Sequence, residues 1–186
     1  MYLRTDNFQY ERNKRWVEAS LGLERIEPFM IGVVQGLGML DCKLVPEDDR
    51  YEQLSEAERF TIEEGLKLTD RVALSFFWVM GAYELIRTID QRHRTDNIFV
   101  VGAVEESLKM LKRKLERLRI PLAKMEPARA YPNDAAIPRE YTMPGWGVAW
   151  RVSEGELISR RLLSDGLLGL VELMQLDTEL QAQQQD

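Results

Sequence analysis

Between Val72 and Ile89 the chain reads VALSFFWVMGAYELIRTI, and up to Ile86 only Ser75, Gly81 and Glu84 interrupt its apolar residues. A helix that is greasy on nearly every side is normally wrapped by other helices. The stretch is shorter than the roughly 20 residues needed to cross a bilayer, and Glu84 lies near its end. It therefore predicts a buried core helix in a soluble protein. Val72, Phe76, Val79, Tyr83 and Ile86 recur at spacings of three and four and form one core stripe. Leu74, Phe77, Trp78, Gly81 and Leu85 fill much of the remaining circumference.

The neighbouring segments build outward from this helix. Ser55 with Glu58 three residues on is a capping box at a helix start. Gly65 or the Thr69–Asp70 pair leaves open whether residues 55–93 form one helix or two. After a polar break from His93 to Asn97, Val101, Val104, Leu108, Leu111, Leu115 and Leu118 follow a clean amphipathic spacing. Two helices joined so closely predict an antiparallel hairpin over about residues 55–119, with Pro121 ending the second helix.

The rest of the chain reads as additions to that hairpin. Asp6 caps a short helix reaching Arg15 to Leu21. Residues 28–45 are open between helix and strand, because Gly32, Gly36 and Gly38 each weaken a helix by up to about 1 kcal/mol. Those glycines imitate a dinucleotide-binding loop, but Tyr83 is followed four residues later by Arg87 rather than lysine, and no strand–helix–strand unit surrounds them. Pro46 to Tyr51 reads as an acidic, solvated break. Five of the seven prolines fall between Pro121 and Pro144, so residues 121–147 read as an irregular excursion. Residues 148–159 read as a β-hairpin turning at Gly155, and Ser159 as the cap of a last helix over about 160–180. Leu163, Leu167, Leu170 and Met174 fall on its buried side. The expected fold is mainly α, a helical bundle in a single domain over residues 1–186, built on the long hairpin.

Composition narrows the function classes. A net charge of −6 opposes indiscriminate nucleic-acid binding, yet residues 94–151 carry eleven basic against seven acidic side chains, so a local basic face is open. The lone Cys42 excludes an internal disulfide framework, and with no apolar leader among the first residues the expectation is a cytoplasmic protein with no membrane segment. One histidine and one cysteine do not furnish a zinc cluster, and Glu47, Asp48, Asp49 and Glu52 lack the glycine-pivoted spacing of a calcium loop. Neither metal nor cofactor is expected. Cys42 and His93 as a nucleophilic dyad lack an activating context, and a buried thiol is the simpler account.

Two constellations could carry chemistry. Arg87 and His93, the only histidine, stand six residues apart at the end of the central helix. Imidazole titrates near neutrality and guanidinium binds phosphate bidentately. An arginine and a histidine so spaced near the end of a long helix in a bundle resemble the motif of HEPN domains. Many of these are metal-independent ribonucleases that act as dimers joining two copies of the motif. The resemblance implies His93 as the proton-transfer group and Arg87 as the stabiliser of the phosphate. The competing account pairs Arg87 with Glu84 or Asp90 and places His93 where a helix C-terminus favours positive charge. The second constellation interleaves cations with rings: Lys112, Arg113, Arg117 and Arg119 on the amphipathic helix, then Arg129, Tyr131 and Trp146 beyond it. Such surfaces hold single-stranded nucleic acid by stacking within a positive groove, although a charge run is more often a solvated face. The function expected is a helical interaction or accessory protein without catalytic activity, self-associating or bound to a protein partner. The alternative is a HEPN-like ribonuclease or RNA-binding protein using Arg87 and His93.

Overall fold

The computed structural model describes residues 2–96, 98–99, 102–143 and 145–183, and among these it is a mainly α-helical bundle carrying a small antiparallel sheet. The central stretch lies inside α4 (Ile62–Asp96), a single helix of 35 residues that passes Gly65 and Thr69–Asp70 without a break. The division falls earlier, at Phe60–Thr61. The Ser55 Oγ and Glu58 backbone bond at 3.4 Å, and the return bond from the Ser55 N–H to the Glu58 carboxylate at 2.8 Å, close the expected capping box around a one-turn α3 (Glu56–Arg59). Thr61 Oγ1 then accepts the Glu64 N–H at 3.3 Å and starts α4 afresh. The polar segment expected to break the chain after His93 is still helical through Asp96; Asn97 lies outside the described residues.

α5 (Gly102–Lys124) returns antiparallel to α4, fixed by Lys112 to Asp90 near one end and Arg119 to Glu84 further along. Val104, Leu108, Leu111, Leu115 and Leu118 are all buried, as the spacing predicts; Val101, the first member of the stripe, lies outside the described residues. Pro121 does not end this helix. It gives up one ladder bond on the buried side, and the helix stops at Met125, whose φ of 58° and N–H bond to the Pro121 carbonyl at 3.0 Å close the last turn.

The open segment 28–45 resolves as helix: Pro28 is the N-cap of α2 (Phe29–Glu52), and the rest lies within it. The glycines are used differently along it. Gly38 sits against Trp16, where an added Cβ would come within 2.5 Å of the indole Cγ, while Gly32 and Gly36 face open space. Pro46 lies inside the helix, so the expected acidic break at 46–51 is regular helix instead; the ion pairs of its acidic residues with other helices hold it in place of the lost bond. α1 (Tyr2–Ser20) begins earlier than an Asp6 cap would allow. It packs on α2 and on α6 (Arg160–Gln183), and a 3₁₀ turn at Leu21–Leu23 brings Gly22 against the backbone of Gln175 on α6.

The sheet has order β1-β2-β3, with β1 Arg139–Met143, β2 Gly147–Ser153 and β3 Glu156–Ser159. The β2–β3 hairpin is the expected one, turning at Gly155 with φ of 80°. β1 was hidden in the proline-rich excursion, because Pro138 stands just before it and leaves five residues free to pair, Tyr141 opposite Ala149. Val148, Trp150 and Val152 press the sheet onto the helices. Ser159 Oγ accepts the Leu162 N–H at 3.3 Å and caps α6, whose Leu163, Leu167, Leu170 and Met174 are buried.

The central stretch is less thoroughly covered than its composition suggests. Trp78, Val79, Ala82, Leu85 and Ile86 are buried, but Phe77 is 62% exposed and Phe76 and Met80 are half-buried. α2 covers one side of α4 and α5 another, and the third side faces solvent.

Candidate functional site

Arg87 and His93 are not brought together. On an unbroken helix six residues separate side chains by about 9 Å along the axis and about 120° around it, and α4 does not unwind between them. Arg87 is exposed and its Nε donates to Glu84 at 2.8 Å. His93 is buried, its ring 4.9 Å from that of Phe99, with no hydrogen-bond partner at Nδ1 among the described residues. Asp90, the other carboxylate expected near Arg87, accepts from Lys112 at 2.6 Å and from Arg94. Cys42 is also remote from His93. Arg92, beside the histidine, bonds Glu27 near the start of α2, and Cys42 lies 15 residues further on, about 22 Å along that helix. Burial, followed by the charge of Asp41, pushes its thiol up to about 11, which leaves it protonated and unreactive near neutrality.

The basic and aromatic residues are for the most part already engaged with the protein itself. Lys112 is held by Asp90. Arg117 donates to Asp134 at 2.5 and 2.9 Å, pairs with Glu156 at 2.5 Å, and lies over the Tyr131 ring at 4.4 Å. Arg119 reaches Glu84 at 3.4 Å and stands 5.2 Å from the Tyr83 centroid. Tyr131 therefore offers no free face on the Arg117 side. Trp146 is partly exposed, its carbonyl accepting from Ser159 Oγ at 2.6 Å, while Trp150 is buried. Among the described residues Arg113, Lys114 and Arg129 carry no ion pair, and all three are exposed.

The most elaborate polar arrangement is one that sequence reasoning missed. Arg160, fully buried at the start of α6, donates to Asp41 at 2.6 Å and to Asp48 at 2.7 Å, both carboxylates buried on α2. Asp41 also accepts from Arg12 Nε at 2.6 Å and from Trp16 Nε1 at 3.1 Å, both on α1. Arg12 continues to Ser164 at 3.2 Å and Asp165 at 2.7 Å. Arg71 of α4 reaches Asp48 at 3.4 Å and the Glu47 carbonyl at 3.0 Å, and stacks 4.3 Å from the Tyr51 centroid. Four helices thus meet on two carboxylates.

Electrostatics divides the two aspartates. Burial raises the Asp41 carboxyl, but the Arg160 and Arg12 guanidiniums together outweigh it and hold it below its ordinary value. At Asp48 burial prevails over Arg160 and Arg71, and the carboxyl lies above its ordinary value. Arg71 is lowered by burial that Asp48 only partly offsets, and its Nε and Nη2, like Ser75 Oγ and Arg160 Nε, find no partner among the described residues. The acidic segment expected to be solvated is thus structural. Asp48 is enclosed, Asp49 pairs with Arg161, Glu47 with Arg50, and Glu52 accepts the Gly145 N–H. No group of three or more metal-ligating side chains gathers among the described residues. A signal did exist: Asp41 and Asp48 stand seven residues apart on the same α2 face as Leu37, Leu44 and Val45, so both charges fall on an apolar stripe. Apart from Asp165, which is half exposed, the arrangement is closed to solvent and its acids are matched to its bases; it fixes helices in register. Compared with protein-family models, with curated proteins and with solved structures, the chain matches none of them.

Proposed function

We propose that the protein is a soluble, cytoplasmic helical interaction module without catalytic activity of its own, which self-associates through one face of α2 and α4. The observation that carries this reading is an uncovered apolar face spanning the two helices. The bond from Trp78 Nε1 to the Leu37 carbonyl at 3.1 Å and the approach of Gly81 to Leu37 set the rotation of one helix against the other. At about 100° per residue, Phe29, Val33 and Gly36 of α2 then emerge on the same side as Ala73 and Phe77 of α4. All five are exposed, Phe29 to 87%. Contiguous apolar surface on a soluble protein marks interaction sites. Gly32 and Gly36, where an added Cβ would meet nothing, let another backbone approach closely. The same stripe on a second copy is self-complementary, as a two-fold interface requires.

α2 and α4 are each long and apolar enough to cross a membrane by length and composition. The soluble reading is favoured by Asp41 and Asp48, which α2 buries in ion pairs with α1 and α6, and by Arg71, which α4 buries against Asp48. A ribonuclease reading asks for more rearrangement, since His93 would have to leave Phe99 and Arg87 to release Glu84. Light scattering on the purified protein tests self-association. The wild type should form a dimer, and Val33→Glu/Phe77→Glu should be monomeric with unchanged helical circular dichroism. A wild type that is monomeric at every accessible concentration overturns the reading.

A further inference from the structure

On the far side of the bundle, α5, β3 and α6 enclose an open trough of about 390 Å³, within the size range of small-molecule sites. Its walls are Met110, Leu111, Ile158, Leu162, Leu170 and Leu173. Its floor is made by two glycines of α6, and neither is there for close helix packing. A Cβ on Gly166 would meet Leu111 Cδ1 at an ordinary 3.5 Å, and one on Gly169 would meet nothing within 4 Å. Each weakens the helix by up to about 1 kcal/mol relative to alanine, and the visible result is an unfilled apolar space.

The trough runs into a second hollow of about 510 Å³ lined by Lys109, Arg113, Lys114, Arg117 and Tyr131. The two share Met110, Lys114, Glu156 and Ile158, so they form one cleft that is apolar at one end and cationic at the other. Most charges around it are spoken for. Glu105 takes Lys109, Arg117 takes Glu156, and Arg12 takes Asp165 at the opposite end of the trough. Lys114 at the junction and Arg113 in the second hollow carry no ion pair among the described residues, and besides the engaged Glu156 the second hollow has one carboxylate, Glu106.

We propose that this cleft binds a small single-chain amphiphile with an anionic head, a medium-chain carboxylate, whose chain lies in the glycine-floored trough and whose carboxylate rests on Lys114 and Arg113. The apolar walls supply affinity by burial. The uncompensated cations select the sign of the head group. This site is separate from the self-associating face and does not depend on it.

Calorimetric titration of the full chain with dodecanoate, below its micelle concentration, tests the proposal against dodecanol and dodecyltrimethylammonium. Dodecanoate should bind saturably at one site. Gly169→Leu, which fills the trough from an unstrained helical position, should abolish binding. Lys114→Glu should weaken dodecanoate about fivefold or more while leaving dodecanol within about twofold. Val33→Glu on the other face should leave binding unchanged. Circular dichroism and thermal melting confirm that each variant is folded. No saturable dodecanoate binding, equal binding of the cationic chain, binding that survives Gly169→Leu, or binding lost in Val33→Glu would each overturn the proposal.

Discussion

Replacing Arg160 with methionine keeps most of its aliphatic volume and removes the cation shared by Asp41 and Asp48. The consequences for the two acids differ. Asp41 keeps Arg12 at 2.6 Å and Trp16 at 3.1 Å, whereas Asp48 keeps only Arg71, at 3.4 Å. The cost is therefore mostly that of one buried, nearly orphaned carboxylate, about 3–5 kcal/mol. At about 2–4 °C per kcal/mol for a chain of this size, the melting temperature should fall by roughly 6–20 °C. The pH dependence has a definite sign. The Asp48 carboxyl is already raised by burial, and losing Arg160 raises it further. A carboxylate with a raised folded-state value destabilises the fold fully at pH above that value, and the effect is relieved progressively as pH falls from it toward the ordinary carboxylate value. The stability gap between Arg160→Met and wild type should thus narrow on acidification, and Asp48→Asn added to the variant should recover part of the loss at neutral pH. Urea denaturation at fixed protein concentration, from pH 7 downward, measures all of this. A loss under about 1 kcal/mol at pH 7, typical of exposed ion pairs, or a gap that widens in acid, would refute the reasoning.

Other outcomes follow from single positions. Gly147 has φ of 61°, and an added Cβ would collide with the Asp48 carboxylate, which Arg160 holds still. Gly147→Ala should cost about 2–4 kcal/mol in urea melts, against about 1 kcal/mol for Gly155→Ala, whose left-handed turn faces open space. The Cys42 thiol, pushed up to about 11 by burial, should resist alkylation at pH 8 in the folded protein and react at once in denaturant. Its ionisation also makes stability fall as pH rises from about 9, the ordinary thiol value, toward 11. Arg87→Ala, which removes an exposed pair with Glu84, should change stability by less than about 0.5 kcal/mol. His93→Ala, which empties the space against Phe99, should cost about 1–3 kcal/mol. RNA cleavage by the wild type that His93→Ala abolishes, with the fold intact, would revive a catalytic role for the histidine.

Periodicity carried the fold where one face of a helix does one job. Leu108, Leu111, Leu115 and Leu118, or Leu163, Leu167 and Leu170, could be assigned from spacing alone because burial recurs every three or four residues. It failed where tertiary partners override local preference. Pro46 and Pro121 sit inside helices because each loses one bond while neighbouring pairings and packing hold the turn. Gly38 is helical because Trp16 needs that space. The polar network was illegible for a related reason. Asp48 stands among Glu47, Asp49 and Glu52 and has the composition of a solvated turn; its burial is decided by Arg160, 112 residues away. Of the candidate site residues, the chain order placed Arg87 and His93 on one helix, but only the unbroken course of α4 puts them on different sides of it.

The separation of those partners constrains the order of assembly. Asp41 and Asp48 precede their shared cation by 119 and 112 residues, and that cation comes with α6. Before α6 is in place α1 and α2 would enclose two carboxylates with only Arg12 and Arg71 to answer them, which opposes their early closure. Contacts so distant along the chain are slow to form. A polypeptide lacking α6 would leave uncovered the faces of α1, α2 and α5 that this helix packs against, so the helix that carries Arg160 both supplies the shared cation and closes the bundle.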